Sequence, residues 1–194
     1  MKLCVFAGTF NPIHNAHIMM AKYILNNFDF DKFLFIPVYI PPHKDYDRDM
    51  CVHRLNMVKL AIEDVPEFEV SDIEFQRNDK SYTYLTVNEL YKKYNVEGKI
   101  NFIIGTDAFE NIESWYEAEK LKELLDFIVF VRDDDVVNFD YLSERGYRYK
   151  FAYMDFVDIS STMIRNLIEN NEEISNLVPA KVEEYIRKNG LYRN

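Results

Sequence analysis

The chain has 194 residues, a length typical of one domain, and 48% of them are hydrophobic, which is enough to form a core. Its formal net charge of −10 would repel a long polyanion, so we expect no nucleic-acid partner. No apolar run approaches the roughly 20 residues of a membrane span, and the N-terminus lacks a signal-peptide cleavage pattern. We therefore predict one cytoplasmic domain over residues 1–194, with no membrane partner.

Short apolar runs alternate with longer amphipathic segments along the chain. Most of the short runs are continuous, as expected of strands that are covered on both faces. This alternation predicts an α/β fold, a doubly wound, mostly parallel Rossmann-like sheet with helices on both faces. The predicted strands are 3–7, 33–37, 68–75, 100–104, 127–131 and 149–154, and the predicted helices are 16–26, 50–64, 83–94, 117–125, 141–145, 162–169 and 180–189.

Residues 8–17, with the sequence GTFNPIHNAH, join the first predicted strand to the first predicted helix. In a doubly wound sheet, ligands bind at the carboxyl ends of strands beside helix N-termini. Gly8 lets the backbone approach a ligand, and Thr9 adds a hydroxyl. Because His14 and His17 are three apart, a helical turn places both imidazoles on one side, where they suit a phosphate whose charge shifts during reaction.

Other interpretations of these histidines are zinc binding and core packing. Structural zinc sites usually take four ligands, and the sequence offers no obvious third one, so we assign no protein metal site. The acidic run 133–135 is either a solvated turn or a metal-binding segment. Residues 8–17 are neither a P-loop nor a dinucleotide fingerprint, because GxxxxGK and GxGxxG are both absent. Phosphate contact is therefore the favoured interpretation of the segment.

A second phosphate-binding segment is predicted at residues 159–165, with the sequence ISSTMIR. Ser160 or Ser161 can cap a helix that begins near Thr162, which leaves free N–H groups and a positive dipole end. Arg165, one turn into that helix, can add a bidentate phosphate contact. Such a cap alone is usually structural, but its combination with the histidine pair favours a phosphate site.

Both segments resemble signatures of the nucleotidyltransferase superfamily. Residues 8–17 resemble G-T-F-D-P-x-H-x-G-H, with Asn11 for the usual Asp and Ala16 for the usual Gly, and residues 159–165 resemble I-S-S-T-x-x-R. The resemblance places two histidines at the transferring phosphate and further residues on ATP. These residues are His14 and His17 for the transferring phosphate, and Gly8, Thr9, Phe10, Ser161, Thr162 and Arg165 for ATP.

Two further motifs resemble the nicotinate-nucleotide adenylyltransferase family within this superfamily. Residues 41–44, PPHK, match a loop whose lysine, here Lys44, reaches phosphate. Residues 81–83, SYT, match a motif implicated in holding nicotinate, here through Thr83. One departure is Leu85, where the family usually has an acid, and it affects the expected start of the following helix more than the reaction.

The same family resemblance extends to the next predicted strand and beyond. Gly105 and Asp107, in the sequence GTD, resemble the family's G-A-D at a strand end that faces adenosine, where Asp107 could accept ribose hydroxyls. Trp115 is the only tryptophan and falls where the family stacks an aromatic ring on the pyridine. Backbone N–H groups beside Trp115 and Tyr116 are expected to help bind the nicotinate carboxylate.

The resemblance implies transfer of AMP from ATP to nicotinate mononucleotide, which gives nicotinate adenine dinucleotide and pyrophosphate in NAD biosynthesis. Mg²⁺ is expected to arrive with ATP, and a homo-oligomer is possible. Alternatives are a phosphopantetheine adenylyltransferase, an enzyme with nicotinamide mononucleotide as acceptor, a cytidylyltransferase, or a catalytically silent nucleotide-binding module. The proposed catalytic residues, acting as cations or donors, are His14, His17, Lys44 and Arg165.

Overall fold

The computed structural model describes residues 1–42, 47–77, 79–131, 137–154 and 158–193. Strands and helices alternate through these ranges, as the sequence predicts. The strands are β1 (Leu3–Gly8), β2 (Lys32–Pro37), β3 (Phe68–Val70), β4 (Ile100–Gly105), β5 (Leu125–Val131) and β6 (Tyr149–Tyr153). The helices are α1 (Asn15–Asn27), α2 (Arg48–Ile62), α3 (Thr83–Lys93), α4 (Thr106–Glu110), α5 (Ala118–Leu124), α6 (Asp140–Glu144), α7 (Ser161–Glu169) and α8 (Ala180–Lys188).

The six strands form one parallel sheet in the order β3-β2-β1-β4-β5-β6. The strand order reverses between β1 and β4, which is the switch point where doubly wound sheets bind ligands. Gly8 ends β1 and Gly105 ends β4, so both glycines lie at the carboxyl edge of the sheet. The predicted α/β, doubly wound fold is confirmed.

Two apolar layers cover the sheet, one on each face. In β1, Cys4 and Phe6 belong to one layer, whereas Leu3 and Val5 belong to the other, because successive strand side chains point to opposite faces. Helices α1, α2, α7 and α8 pack on the first face, and α3, α4, α5 and α6 pack on the second. Burial on both faces explains why the strands are continuous apolar runs.

The structure differs from the prediction at two places. The strand predicted at 68–75 ends at Val70, and a short 3-10 helix, Ile73–Gln76, follows. Glu74 turns inward there, where its carboxylate accepts hydrogen bonds from the Tyr39 N–H at 3.1 Å and the Thr86 hydroxyl at 2.6 Å. Helix α4 was not predicted, because it begins at Thr106, directly after β4, so no loop in the sequence marks its start.

The C-terminal helix α8 packs against α2. The hydroxyl of Tyr185 lies 2.9 Å from His53 Nδ1 and accepts a hydrogen bond from the Asn56 amide at 3.0 Å. Val182 and Ile186 on the same helix are buried in the first apolar layer. Among the described helices, none is long and apolar enough to cross a membrane. A single domain over residues 1–194 stays a prediction.

Candidate active site

The loops that follow the strands line two adjoining cavities. The first has a volume of about 450 Å³, and the second about 320 Å³. Thr9 and Pro41 line both, so the two cavities share a wall. The wall of the first cavity also includes most of the residues that the sequence assigns to ATP phosphates, namely Phe10, His17, Ser161, Thr162 and Arg165.

The two predicted histidines are in direct contact. His14 is the N-cap of α1 and is 6% exposed, and its ring centroid lies 3.7 Å from that of His17. The backbone N–H of His14 donates to His17 Nδ1 at 3.2 Å. A nitrogen that accepts a hydrogen bond carries no proton, so neutral His17 has its proton on Nε2. His17 therefore brings an N–H donor to the first cavity.

Burial makes the neutral form of both imidazoles favourable. It lowers the pKa of His14 from 6.5 to about 4. Burial, and secondarily the neighbouring His14, lower the pKa of His17 well below its usual value. Of the two predicted roles, cation or donor, the geometry favours the neutral donor, because two imidazolium rings at this distance would repel each other.

Burial of neutral His14 also makes the stability of the protein depend on pH. The unfolded imidazole binds a proton below about pH 6.5, whereas in the folded protein the pKa of His14 is about 4. The unfolded state therefore binds more protons between these values, and the stability decreases as the pH falls through this window. From His14 alone we expect a loss of about 2 kcal/mol in the free energy of unfolding between pH 7 and pH 5.

Urea unfolding of the wild type and of His14→Gln at both pH values measures this contribution. The variant should lose less stability than the wild type by roughly that amount, because its side chain does not titrate. Equal losses in the two proteins would contradict the burial of a neutral imidazole at this position.

The N-terminus of α7 is joined to the loop before α1. Arg165 donates through Nη1 to the Asn11 carbonyl at 2.8 Å and through Nη2 to the Thr162 hydroxyl at 3.1 Å. The Ser161 hydroxyl donates to the Pro12 carbonyl at 2.9 Å. These contacts bring the two phosphate-binding segments together, although about 150 residues separate them in the sequence.

The helix cap of α7 is the first serine of the predicted pair. The Ser160 hydroxyl accepts a hydrogen bond from the Met163 N–H at 3.1 Å, so Ser161 is the first residue of the helix. Helix α7 has nine residues, and its N-terminus lies beside the first cavity. As in every α-helix, the N–H groups of its first turn have no partner within the helix. The positive end of its dipole therefore adds to the positive charge of Arg165.

Gly8 lies close to the side chain of Phe10. A Cβ atom at this position would lie 3.0 Å from the ring of Phe10, which is only 2% exposed. Phe10 has a left-handed backbone, with φ of 47°, and its ring packs edge-on against His17 at 5.1 Å. The small size of Gly8 thus makes room for Phe10, which in turn supports the imidazole of His17.

The second cavity contains all three residues that the sequence assigns to the acceptor: Thr83, Trp115 and Tyr116. Thr83 is the first residue of α3, after the N-cap Tyr82. Trp115 packs edge-on against Phe102 at 6.2 Å. Tyr116 is 49% exposed, and its ring centroid lies 4.7 Å from that of Tyr82. Among the described residues that line this cavity, there is no Lys, Arg or His.

Backbone donors near the aromatic pair are partly engaged. The Trp115 N–H donates to the Ile112 carbonyl at 3.0 Å and is therefore engaged within the chain. Binding of the nicotinate carboxylate by N–H groups beside Trp115 and Tyr116 stays a prediction. The Tyr116 N–H and the Thr83 hydroxyl form no hydrogen bond with another described residue. Both groups can therefore donate a hydrogen bond to a ligand on this side of the cavity.

The serine of the 81–83 motif supports the loop after β2. Its hydroxyl oxygen accepts hydrogen bonds from the Tyr39 and Ile40 N–H groups, both at 3.1 Å, and its own N–H donates to the Ile40 carbonyl at 2.8 Å. Ser81 is 7% exposed and lines the second cavity beside Thr83. The motif therefore fixes the wall that the two cavities share.

Other predicted residues lie apart from these cavities. Gly105 and Asp107 are exposed at the carboxyl end of β4, and neither lines the first or the second cavity. Gly105 is the N-cap of α4, and a Cβ atom there would meet nothing within 4 Å. Lys44 and the acidic run 133–135 lie outside the described residues. Adenosine contact and the lysine contact stay predictions.

Arg54 lines the first cavity and is 3% exposed, although the sequence did not identify it as a site residue. Its guanidinium donates to the carbonyls of Thr9 at 2.7 Å, Val38 at 2.6 Å and Tyr39 at 3.1 Å. The side chain thus links the loops after β1 and β2 and places a positive charge beside the cavity. The available signal was its position next to Leu55 on the apolar face of α2, where a charged residue needs polar partners.

Few acidic groups surround the first cavity. Asp47 is the one carboxylate among the described lining residues, and it also accepts a hydrogen bond from the Asp49 N–H at 2.9 Å. In the described ranges, no cluster of three or more His, Cys, Asp or Glu side chains could hold a metal ion. Within that part of the chain, the zinc interpretation of the histidine pair has no third ligand.

The parallel sheet and the cavity at its switch point fit a nucleotidyltransferase, and a family described as cytidylyltransferase-like matches residues 5–167. The chain is 40% identical to a protein of Caldicellulosiruptor saccharolyticus, over 100% of both chains. It is 37% identical to one of Staphylococcus haemolyticus, over 99% of this chain and 97% of the relative. Both relatives are named "Probable nicotinate-nucleotide adenylyltransferase", and this chain belongs to the nicotinate-nucleotide adenylyltransferase family.

A solved structure has the same fold. Nicotinic acid mononucleotide adenylyltransferase of Plasmodium falciparum, complexed with NaAD, superposes with a TM-score of 0.81. The alignment covers 98% of this chain and 97% of the other, at 22% sequence identity. The similarity extends over nearly all of both chains, which supports the strand order described above.

Proposed function

We propose that this protein transfers the AMP part of ATP onto nicotinate mononucleotide, giving nicotinate adenine dinucleotide and pyrophosphate. The observation that carries this proposal is the wall shared by the two cavities. The first is lined by groups that can donate hydrogen bonds to phosphate, and the second is lined by aromatic side chains. His17 and Arg165 line the first, Trp115 and Thr83 line the second, and Thr9 lines both. ATP and the acceptor would therefore meet at Thr9.

The reaction needs alignment and charge stabilisation more than proton transfer. An oxygen of the acceptor phosphate forms a bond to the α-phosphorus of ATP, while the bond from that phosphorus to the pyrophosphate oxygen breaks. The acceptor phosphate is already anionic at neutral pH, so no protein nucleophile or base is required. Holding the two phosphates in line supplies a large part of the rate enhancement.

Each phosphate-binding group has a role in this arrangement. The Nε2–H of His17 donates to the transferring phosphate, where negative charge changes during the reaction. Arg165 and the N-terminus of α7, with Ser161 and Thr162, hold the phosphates that leave as pyrophosphate. Arg54 contributes positive charge from the wall. His14 acts through its contact with His17.

We assign the remaining contacts as the sequence does: Lys44 to phosphate, and Gly8, Thr9, Phe10, Gly105 and Asp107 to ATP. Mg²⁺ would come bound to the ATP phosphates and neutralise part of their charge. A single described carboxylate in the cavity wall, Asp47, fits an ion that is held mainly by substrate and water. Cytoplasmic location, a homo-oligomer and the absence of a nucleic-acid partner stay predictions.

Product analysis tests this function directly. The protein is incubated with ATP, Mg²⁺ and one acceptor, and the products are identified by mass. Nicotinate mononucleotide should give nicotinate adenine dinucleotide and pyrophosphate. Faster conversion of phosphopantetheine, or of nicotinamide mononucleotide, would assign another adenylyltransferase activity. Binding of ATP with no product from any acceptor would identify a catalytically silent module.

Arg165→Lys should lower kcat/KM for ATP by about tenfold, because lysine keeps the charge but loses the planar fork. The fork is used in the structure, since its two Nη atoms hold Asn11 and Thr162 at 2.8 and 3.1 Å. Steady-state kinetics with varied ATP measures the loss. The matched control is Arg148→Lys, which changes a surface ion pair with Asp126 outside the first cavity. Full activity of Arg165→Lys would contradict bidentate recognition.

A further inference from the structure

The C-terminal tail reaches the loop that begins the phosphate-binding segment. The Tyr192 hydroxyl donates to Asn11 Oδ1 at 2.7 Å, and the backbone carbonyl of the same asparagine accepts from Arg165 Nη1 at 2.8 Å. Asn11 lines the first cavity, whereas Tyr192 does not. Tyr192 also lies beyond residues 5–167, the segment that matches the cytidylyltransferase-like family.

The tail is held in place close to the arginines of the site. Leu191 is 7% exposed and anchors the tail in the first apolar layer. Burial raises the pKa of Tyr192 well above its usual value, while the positive charges of Arg165 and Arg54 act in the opposite direction. Its hydroxyl is therefore protonated at neutral pH and can act as a hydrogen-bond donor.

The backbone of Tyr192 is strained. Its φ is 63°, in the left-handed region that is unfavourable for a residue with a bulky side chain. Such conformations persist where surrounding contacts hold them, and they concentrate at functional sites. Here the conformation directs the phenol towards Asn11, and the hydrogen bond between them is the polar contact that the ring makes with the loop.

A second contact braces the same loop from the C-terminal side. The Asn15 N–H donates to the Leu177 carbonyl at 2.9 Å, and its side-chain amide donates to the Asn176 carbonyl at 2.7 Å. Residues beyond the matched segment thus hold the loop at both of its ends, through Asn11 and through Asn15. His14 lies between these two positions, and His17 lies two residues after Asn15.

We propose that Tyr192 is a positioning residue of the ATP site. Its hydroxyl fixes the side chain of Asn11, and through Asn11 it fixes the carbonyl that orients Arg165. Loss of the hydroxyl would leave Asn11 free to rotate and Arg165 less well oriented before ATP binds, which weakens preorganised phosphate contacts. This inference rests on the proposed binding of ATP in the first cavity.

Tyr192→Phe removes the hydroxyl and keeps the ring, and Tyr185→Phe is its matched control. Tyr185 also lies in the C-terminal part and uses its hydroxyl in hydrogen bonds, but with His53 and Asn56, which line neither cavity. We expect Tyr192→Phe to lower kcat/KM for ATP about tenfold and to leave KM for the acceptor within about twofold. Tyr185→Phe should change neither, and any loss of thermal stability should be similar in both variants.

A double-mutant cycle with Asn11→Ala tests whether the effect passes through Asn11. Once Asn11 Oδ1, which accepts the hydrogen bond of Tyr192, is removed, Tyr192→Phe should cause little further loss of kcat/KM for ATP. The effects of the two changes should therefore be strongly non-additive. Additive losses would overturn the proposal, as would equal losses for ATP and acceptor in Tyr192→Phe. The cycle also remains informative if one of the single variants is unstable, because thermal melting reports its folded fraction.

Calorimetric titration with ATP separates this inference from the proposed reaction. It measures ATP affinity without an acceptor, so it remains valid even if the wild type were inactive with nicotinate mononucleotide. Weaker ATP binding by Tyr192→Phe than by Tyr185→Phe supports the positioning role. Equal affinities together with equal ATP kinetics contradict that role alone, whereas a wild type that does not bind ATP contradicts both proposals.

Discussion

His17→Ala should lower kcat by at least about 100-fold, which corresponds to about 2.7 kcal/mol of activation free energy. The imidazole is neutral, its Nδ1 accepts the His14 N–H, and its Nε2–H is therefore the group that can face a phosphate in the first cavity. Alanine removes this donor and leaves the transferring phosphate with one stabilising contact fewer. The loss should appear in kcat, because the contact strengthens as charge develops in the transition state.

The matched control for this experiment is His53→Ala. His53 lies on α2, contacts the Tyr185 hydroxyl and lines neither cavity, so its removal should leave kcat near the wild-type value. Thermal melting of both variants reports any loss of folded protein. Near-normal kcat for His17→Ala would remove this histidine from the chemistry, and an equal loss in both variants would indicate an effect on folding.

Much of the fold follows from local patterns. Strands buried on both faces are continuous apolar runs, and this signal located β1, β2, β4, β5 and β6 to within about two residues at each end. The failure at 68–75 has a specific cause: Glu74 makes long-range hydrogen bonds with Tyr39 and Thr86, and a tertiary contact of this kind leaves no local pattern. Sequence periodicity cannot anticipate such a partner.

The candidate site divides in the same way between local and distant residues. Residues of contiguous motifs were predicted, because each motif forms one turn or one helix start. Arg54 and Tyr192 were missed as site residues, because their roles come from partners far along the chain. Arg54 contacts the carbonyl of Thr9, 45 positions away, and Tyr192 contacts Asn11, 181 positions away. Only the folded chain brings these groups together.

The groups that carry positive charge at the site could be identified only from the structure. An acidic chain with a net charge of −10 must bind two anionic substrates, and the two histidines contribute no positive charge at neutral pH because burial lowers their pKa values. Among the described residues of the first cavity, the positive charges are those of Arg54 and Arg165. Two arginines beside the site can therefore bind anionic substrates despite the negative net charge, because salt screens the repulsion from distant acidic residues.

Trp115→Ala should lower kcat/KM for the acceptor by about 30-fold, close to the 2 kcal/mol that buried tryptophans often contribute at binding sites. Trp115 lines the second cavity and is supported by Phe102, so its ring can stack on the pyridine of the acceptor. KM for ATP should stay within about twofold, because Trp115 does not line the first cavity. Tyr141→Ala, which changes an aromatic residue of α6 outside both cavities, is the matched control.

Acid and amide acceptors separate stacking from polar recognition at this site. The Thr83 hydroxyl and the Tyr116 N–H suit a nicotinate carboxylate, and an amide would pair with them poorly. Each poorly paired group costs about 1–3 kcal/mol, so we expect roughly 5- to 150-fold preference per group for nicotinate over nicotinamide mononucleotide. Trp115→Ala should lower kcat/KM for both acceptors and keep the ratio of these two values, since stacking does not distinguish acid from amide.

Thr83→Val should instead reduce that ratio by about tenfold, because valine keeps the shape of threonine and removes one hydrogen-bond donor. Equal kcat/KM for the two acceptors in the wild type would contradict acid-specific recognition and leave adenylyl transfer intact.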